Sequence, residues 1–290
     1  MTALAAEPEA LRYSEIQQSG IIDDRRVVEA SGLARSHRVA GRMWTMNDGG
    51  SRPQLFALDA NGVVEGAVVL GRARNVDWEA LASFEHGGKA MLVVADIGDN
   101  LASRRYCTMY VVEEPGELQG QRVEPLRAIR FTYPEGPRDA EGLAVDPDNL
   151  TALVLSKRTI PARLYRVPLF ASAENAILQA EHVADIAHLP QPTARDLERA
   201  LPDKSWHWQP TAMDIAPDGN HAVILTYRAA YLYSREPQQS WPAALQNAPL
   251  RLDLGGIRLA EAAAFGYKDP SLFITVEGRR PPLYRFERNP

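Results

Sequence analysis

Short apolar runs rich in β-branched and aromatic residues recur along this chain, each bounded by Gly, Pro, Asp or Asn. Bounded runs of this kind predict strands. The runs come in a repeating order. Five segments share a phrase: ASGLARS from Ala30, DWEALAS from Asp77, DAEGLAVDP from Asp139, PTAMDIAPDG from Pro210 and LAEAAAFGY from Leu259. A second apolar run follows each in turn: RMWTMNDGG, AMLVVADIGDN, TALVLSKR, HAVILTYR and SLFITVEG. A third completes the set: PQLFALD, CTMYVVEEP, ARLYRVPL, AAYLYSR and PPLYRFER.

With Ser31, Glu79, Glu141, Thr211 and Glu261 taken as equivalent, the repeats lie 48, 62, 70 and 50 residues apart. Each spacing suits one four-stranded blade, so the pattern predicts an all-β, five-bladed propeller of antiparallel blades in a single domain over residues 1–290. Outer strands are available as GAVVLGRA, PLRAIRFTYP, AEHVADIAHL and PLRLDLGG, but the fifth repeat has none. The unclaimed YSEIQQSGIID before the first repeat is expected to supply it and close the ring. Closure removes the exposed sheet edges that open β-structures must protect. The alternatives are a β-sandwich and a six-bladed ring. A sixth blade would draw on the longest spacing, but TARDLERAL within residues 191–209 reads as a short helix, with Thr193 as its cap and Asp196 three residues on. That stretch, with Trp206, His207 and Trp208, is expected as a helical insertion on the glutamate face, acting as a lid or as a plug between blades.

Composition narrows the function. The chain has 290 residues, 45% of them hydrophobic and 24% charged, with a formal net charge of -5. It can bury a large core without staples, and its single cysteine, Cys107, excludes an internal disulfide. Mild acidity without a basic patch argues against nucleic acid as a partner. No run approaches the roughly 20 apolar residues that span a bilayer, so no membrane partner is expected. The start MTALAAEPEA lacks the basic and long apolar regions of a signal peptide, which predicts a cytoplasmic protein. Ala3-Leu4-Ala5 resembles the small-residue end of a cleaved leader, which gives a periplasmic alternative.

In an antiparallel blade, the start of the innermost strand and the end of the second lie at the same end of the sheet. Glu79, Glu141 and Glu261 should therefore meet around the channel with Asn47, Asp48, Asp96, Asp99, Asn100, Lys157, Arg158, Tyr227, Arg228 and Glu277. Carboxylates so crowded raise one another's pKa and need a cation, a basic neighbour or a shared proton. Oxygen donors suit calcium or magnesium rather than zinc, and the six histidines are scattered. The expected metal ligands are Glu79, Glu141, Asp96, Asp99, Asn100, Asn47 and Asp48. The ADIGDN turn also reads as a local turn, with Asp and Asn capping amides and Gly98 supplying a positive φ. Asp59, Asp146 and Asp218 sit in LDANG, DPDN and APDG turns and read as structural.

Nucleophile chemistry finds little support, because the chain has no GxSxG elbow and no glycine-rich phosphate loop. The sequence resembles a group of bacterial propeller proteins through NVDWEALA, ADIGDN, DAEGLAVDP and LTYRAAYLY, over about residues 30–286. It is distantly similar to TolB-like, SdiA-regulated and phytase-like esterase propellers. More remotely it is similar to the gluconolactonase and paraoxonase class, in which an axial calcium held by Glu, Asn and Asp polarises a lactone or ester. Glu141, in AEGL, matches the strand-start glutamate of that class. Many of those relatives have six blades, and Lys157 stands where a calcium ring would prefer oxygen.

The first expectation is a divalent-cation-binding hydrolase of a small lactone, ester or phosphoester, with calcium as the cofactor. In it Lys157 and Arg228 hold an anionic group and Glu261 takes a proton. The second is a non-catalytic propeller that binds a small ligand or a protein of unspecified kind. The third is a glycosidase, which needs its carboxyl groups at set separations and aromatic platforms, for which Trp78 and the insertion tryptophans are the candidates.

Overall fold

The computed structural model describes residues 12–170, 176–190, 208–268 and 270–289. The chain opens with β1 (Gln17–Ile21). Blade one follows as β2 (Ala30–Arg35), β3 (Met43–Asn47), β4 (Gln54–Leu58) and β5 (Val64–Leu70). Blade two holds β6 (Trp78–His86), β7 (Lys89–Asp96) and β8 (Cys107–Glu113), and after the two-residue β9 (Arg122–Val123) comes its outer β10 (Arg127–Thr132). Blade three is β11 (Ala140–Asp146), β12 (Thr151–Ser156) and β13 (Ala162–Pro168), then β14 (Ile177–Gln179) and the outer β15 (Glu181–Ile186). Blade four is β16 (Pro210–Ile215), β17 (His221–Thr226), β18 (Ala229–Ser234) and, after the short helix α1 (Trp241–Ala244), β19 (Leu250–Asp253). Blade five is β20 (Ala260–Phe265), β21 (Leu272–Val276) and β22 (Pro282–Phe286).

The fourth strand of blade five is β1. It pairs antiparallel with β22 from Gln17 opposite Arg285 to Ile21 opposite Pro282. The ring closes at five blades, because β2 packs against both β6 and β20. A six-bladed ring is thereby excluded. The helix expected within residues 191–209 lies almost wholly outside the described residues, and of its tryptophans only the buried Trp208 is described.

The strand sequences follow from where each strand sits. Innermost strands are covered by a blade on either side, so β2, β11 and β16 are buried along their whole length and do not alternate. Near the axis the blades converge, which favours small residues. A Cβ on Gly142 would lie 2.8 Å from that of Leu155 and 3.3 Å from that of Met213. Outer strands keep one wet face and alternate, as β10 does with Ile129 and Phe131 inward. The apolar side chains form interfacial clusters between successive blades. Val93, Val111 and Val154 join blades two and three, and Leu155, Ile224 and the α1 residue Trp241 join three and four.

Two strands fall outside the repeat. β9 pairs parallel with β5 of blade one, and β14 pairs parallel with β10 of blade two. Each is an excursion of the following blade that covers its neighbour's outer edge, one of the ways sheets protect an unpaired edge.

Candidate functional site

Every innermost strand shifts register near its start. The shifts fall between Ala30 and Gly32, Trp78 and Ala80, Ala140 and Gly142, Pro210 and Ala212, and Ala260 and Ala262. Inside the five bulges stand Ser31, Glu79, Glu141, Thr211 and Glu261, the residues the repeat makes equivalent. A bulge leaves one residue out of the ladder and re-aims its side chain. Two of the five tie neighbouring blades together: Ser31 Oγ donates to Trp78 O at 3.0 Å, and Thr211 Oγ1 to Ala260 O at 2.7 Å. The other three bring carboxylates to the same end.

Directly after the second strands come Asp48, Ile97, Lys157, Tyr227 and Glu277. Lys157 Nζ donates to Glu141 Oε1 in a buried ion pair and lies 5.2 Å from the centroid of the Tyr227 ring. Glu141 Oε2 is buried with no hydrogen-bond partner among the described residues. Burial pushes the Glu141 carboxyl up to about 7, although the adjacent Lys157 ammonium pulls the other way. Burial, then Glu141 and Asp48, hold Glu79 well above the usual carboxylate range. Glu261 is raised likewise, by burial and then by Glu141. Burial opposes the charge on Lys157, but Glu141, Glu261, Tyr227 and Glu79 together outweigh it and keep the ammonium charged.

At the junction of blades one and two, Asp48, Asp77 and Glu79 each bring a carboxylate oxygen to within 4.8 Å of the others. Asp77 is pushed up to about 6 by burial and then by Asp48 and Asp139. Burial also raises Asp48, whose carboxylate accepts the Gly49 amide. Two glycines leave room for this convergence. A Cβ on Gly98 would sit 2.4 Å from Asp77 Oδ2 and 2.6 Å from Glu79 Oε1, and one on Gly49 would sit 2.6 Å from Asp77 Oδ1. An all-oxygen donor set of three carboxylates, held close by an absence of side chains, fits a hard divalent cation.

The remaining sequence candidates are engaged locally. Asp96 is paired with Arg104 at 2.7 Å and accepts the amides of Val76 and Asp77. Asp99 accepts the amides of Ser103 and Arg104, and Asn100 Oδ1 accepts from Arg158. Asn47 Oδ1 accepts the Val28 amide at 2.9 Å while its Nδ2 donates to Arg26 O at 2.7 Å. Arg158 is bound to Asp139 at 2.6 Å, and Arg228 is exposed. Gly98 does not take the positive φ expected of it, so its role is space rather than backbone freedom. Trp78 is fully buried and offers no platform for a sugar. Asp59, Asp146 and Asp218 each accept a nearby turn amide, as their motifs predict.

Asp77 is the member that sequence reasoning missed. The signal was there, since Asp77-Trp78-Glu79 and Asp139-Ala140-Glu141 share the form Asp-x-Glu. The two aspartates diverge in use. Asp139 is consumed by the Asp99 amide and by Arg158, whereas Asp77 turns its carboxylate toward Glu79.

Among the described residues, no helix is long and apolar enough to cross a membrane. No protein-family profile and no curated protein matches the chain. Among solved structures it is similar to luciferin-regenerating enzyme, at 11% identity and a TM-score of 0.45 over 90% of this chain and 92% of that one. It is also similar to U3-55K, at 13% identity and a TM-score of 0.43 over 89% of this chain and 67% of that one. Likenesses this distant leave the site to be read from its own residues.

Proposed function

We propose that this protein is a divalent-cation-binding propeller that hydrolyses a small lactone, ester or phosphoester at its axial mouth. The convergence of Asp48, Asp77 and Glu79 carries this reading. Three carboxylates gathered where burial already penalises their charge are relieved by a cation, and oxygen-only ligation favours calcium. A divalent cation held by Asp48, Asp77 and Glu79 would supply Lewis acidity toward a carbonyl or phosphoryl oxygen. The chain's own residues do the rest. Glu261, whose carboxyl burial and then Glu141 raise well above the usual range, takes a proton from the reacting group. Lys157, kept charged by Glu141, offers fixed positive charge to an anionic substrate, with exposed Arg228 at the rim.

The test is elemental analysis of protein purified without added metal, followed by a panel of lactones, esters and phosphoesters with and without chelator. The expected result is bound calcium or magnesium and hydrolysis that chelation removes and Glu261→Gln slows at least tenfold. Metal-free protein with chelator-insensitive behaviour would overturn it.

A second reading has its own support. Asp48 belongs to blade one, while Asp77 and Glu79 belong to blade two, so an ion there would also tie two blades together. In a purely binding propeller, chelation lowers the melting temperature and the panel shows no turnover.

A further inference from the structure

A pocket of about 150 Å³ opens on the same face as the carboxylates, further out along blade two. The ladder places it there: Phe131 at the end of β10 lies opposite Cys107 at the start of β8, at the end of the blade where β7 delivers Asp96. Buried Cys107, Phe131 and Tyr133 give it an apolar floor, and Arg104, Arg105 and Arg138 give it a cationic rim. Two of these guanidinium groups are committed: Arg104 to Asp96 at 2.7 Å, and Arg138 to Glu135 at 3.1 Å while it lies over the Tyr133 ring at 5.4 Å. Asp99 also lines the pocket, with its carboxylate occupied by two loop amides. Arg105 is exposed, and no hydrogen bond or ion pair engages it among the described residues. The pocket therefore joins an apolar floor to an uncommitted positive charge at its entrance.

Size and chemistry together select the ligand. An apolar cavity of about 150 Å³ admits a single benzene ring, and a free guanidinium favours a carboxylate at the ring's outer end. We propose that this pocket binds a monocyclic organic carboxylate, its ring against Cys107, Phe131 and Tyr133 and its charge on Arg105. The site is separate from the axial carboxylates and does not depend on their cation.

Benzoate is the probe. Titrated by ligand-observed NMR into the full chain in the presence of chelator, it is expected to bind saturably, and Arg105→Gln to weaken that binding about tenfold. Benzyl alcohol, which has the ring without the charge, is expected to bind about tenfold more weakly, and inorganic phosphate, a charge without a ring, not to compete. No saturable binding, equal affinity in Arg105→Gln, or full competition by phosphate would each overturn the assignment. Because the titration is run without metal, failure here leaves the axial cation untouched, and failure of the cation leaves this result standing.

Discussion

Arg35 Nη1 lies 2.7 Å from Asp214 Oδ2, joining blade one to blade four at the end of the innermost strands opposite the carboxylates. The same Asp214 oxygen accepts the Phe265 amide of blade five at 2.9 Å, and Arg35 Nη2 donates to Ile215 O at 2.7 Å. One buried pair thus gathers three blades. Removing one partner of such a pair strands the other charge, whereas replacing both with apolar groups is often neutral. Arg35→Met is expected to cost about 3–5 kcal/mol, and Arg35→Met with Asp214→Leu to recover most of it. Urea denaturation of the single and double variants measures the difference.

Lys157 and Glu141 make the same argument at the other end. Lys157→Met leaves Glu141 buried without its cation, so it should destabilise the protein at neutral pH and less so near pH 5, where Glu141 is protonated. Glu141→Gln added to Lys157→Met removes that charge and should flatten the pH dependence. Thermal melts at the two pH values decide this, and an equal loss at both would refute it.

The raised carboxyls set the response of the metal-free protein to pH. Folded Glu141 titrates near 7 and Asp77 near 6, above their ordinary values of 4.5 and 3.8. Between those limits the folded state holds more protons than the unfolded one, so their contribution is full at the acid end and is lost as pH rises through 6 and 7. Asp24, Asp218 and Asp253 are shifted downward and act the other way, but only below about pH 4. With chelator present, these groups should tilt the melting temperature downward from pH 5 to 7.5. Calcium competes with the same protons, so its stabilising shift should grow over that range.

Gly98→Ala separates the carboxylate cluster from the fold. The added methyl would meet the mobile ends of Asp77 and Glu79, not backbone, so the sheet can persist while the oxygens are pushed apart. Calcium affinity by calorimetry is expected to fall at least tenfold, with a melting temperature in chelator close to that of the parent. Unchanged affinity would show that Asp77 and Glu79 do not jointly hold the ion.

Much of the ring was legible because blades bury their inner strands on both sides. MWTMN and TALVLS read as strands from their own apolar and β-branched residues, AEAAAF only through its place in the repeat, and the missing outer strand of blade five pointed to Gln17–Ile21. The parallel strands β9 and β14 could not be read, since two or three residues pairing with a neighbouring blade leave no periodicity. The site was legible as a gathering of acids but not as a division of labour. ADIGDN is dense in oxygen, yet its Asp96 and Asp99 answer to Arg104 and loop amides, partners fixed only by the folded turn. Asp77 and Asp139 look alike in sequence and differ only through Arg158 and the Asp99 amide, which reach one and not the other.

The bulge shared by all five blades uncouples what the rim displays from the scaffold that displays it. A residue standing outside the ladder contributes little to pairing, so its identity can change while the strands keep their partners. Serine, threonine and glutamate already occupy the five positions within one backbone plan. The ladder itself thus leaves each position open to change, and the electrostatic character of the opening is set blade by blade, together with whatever partner each side chain meets.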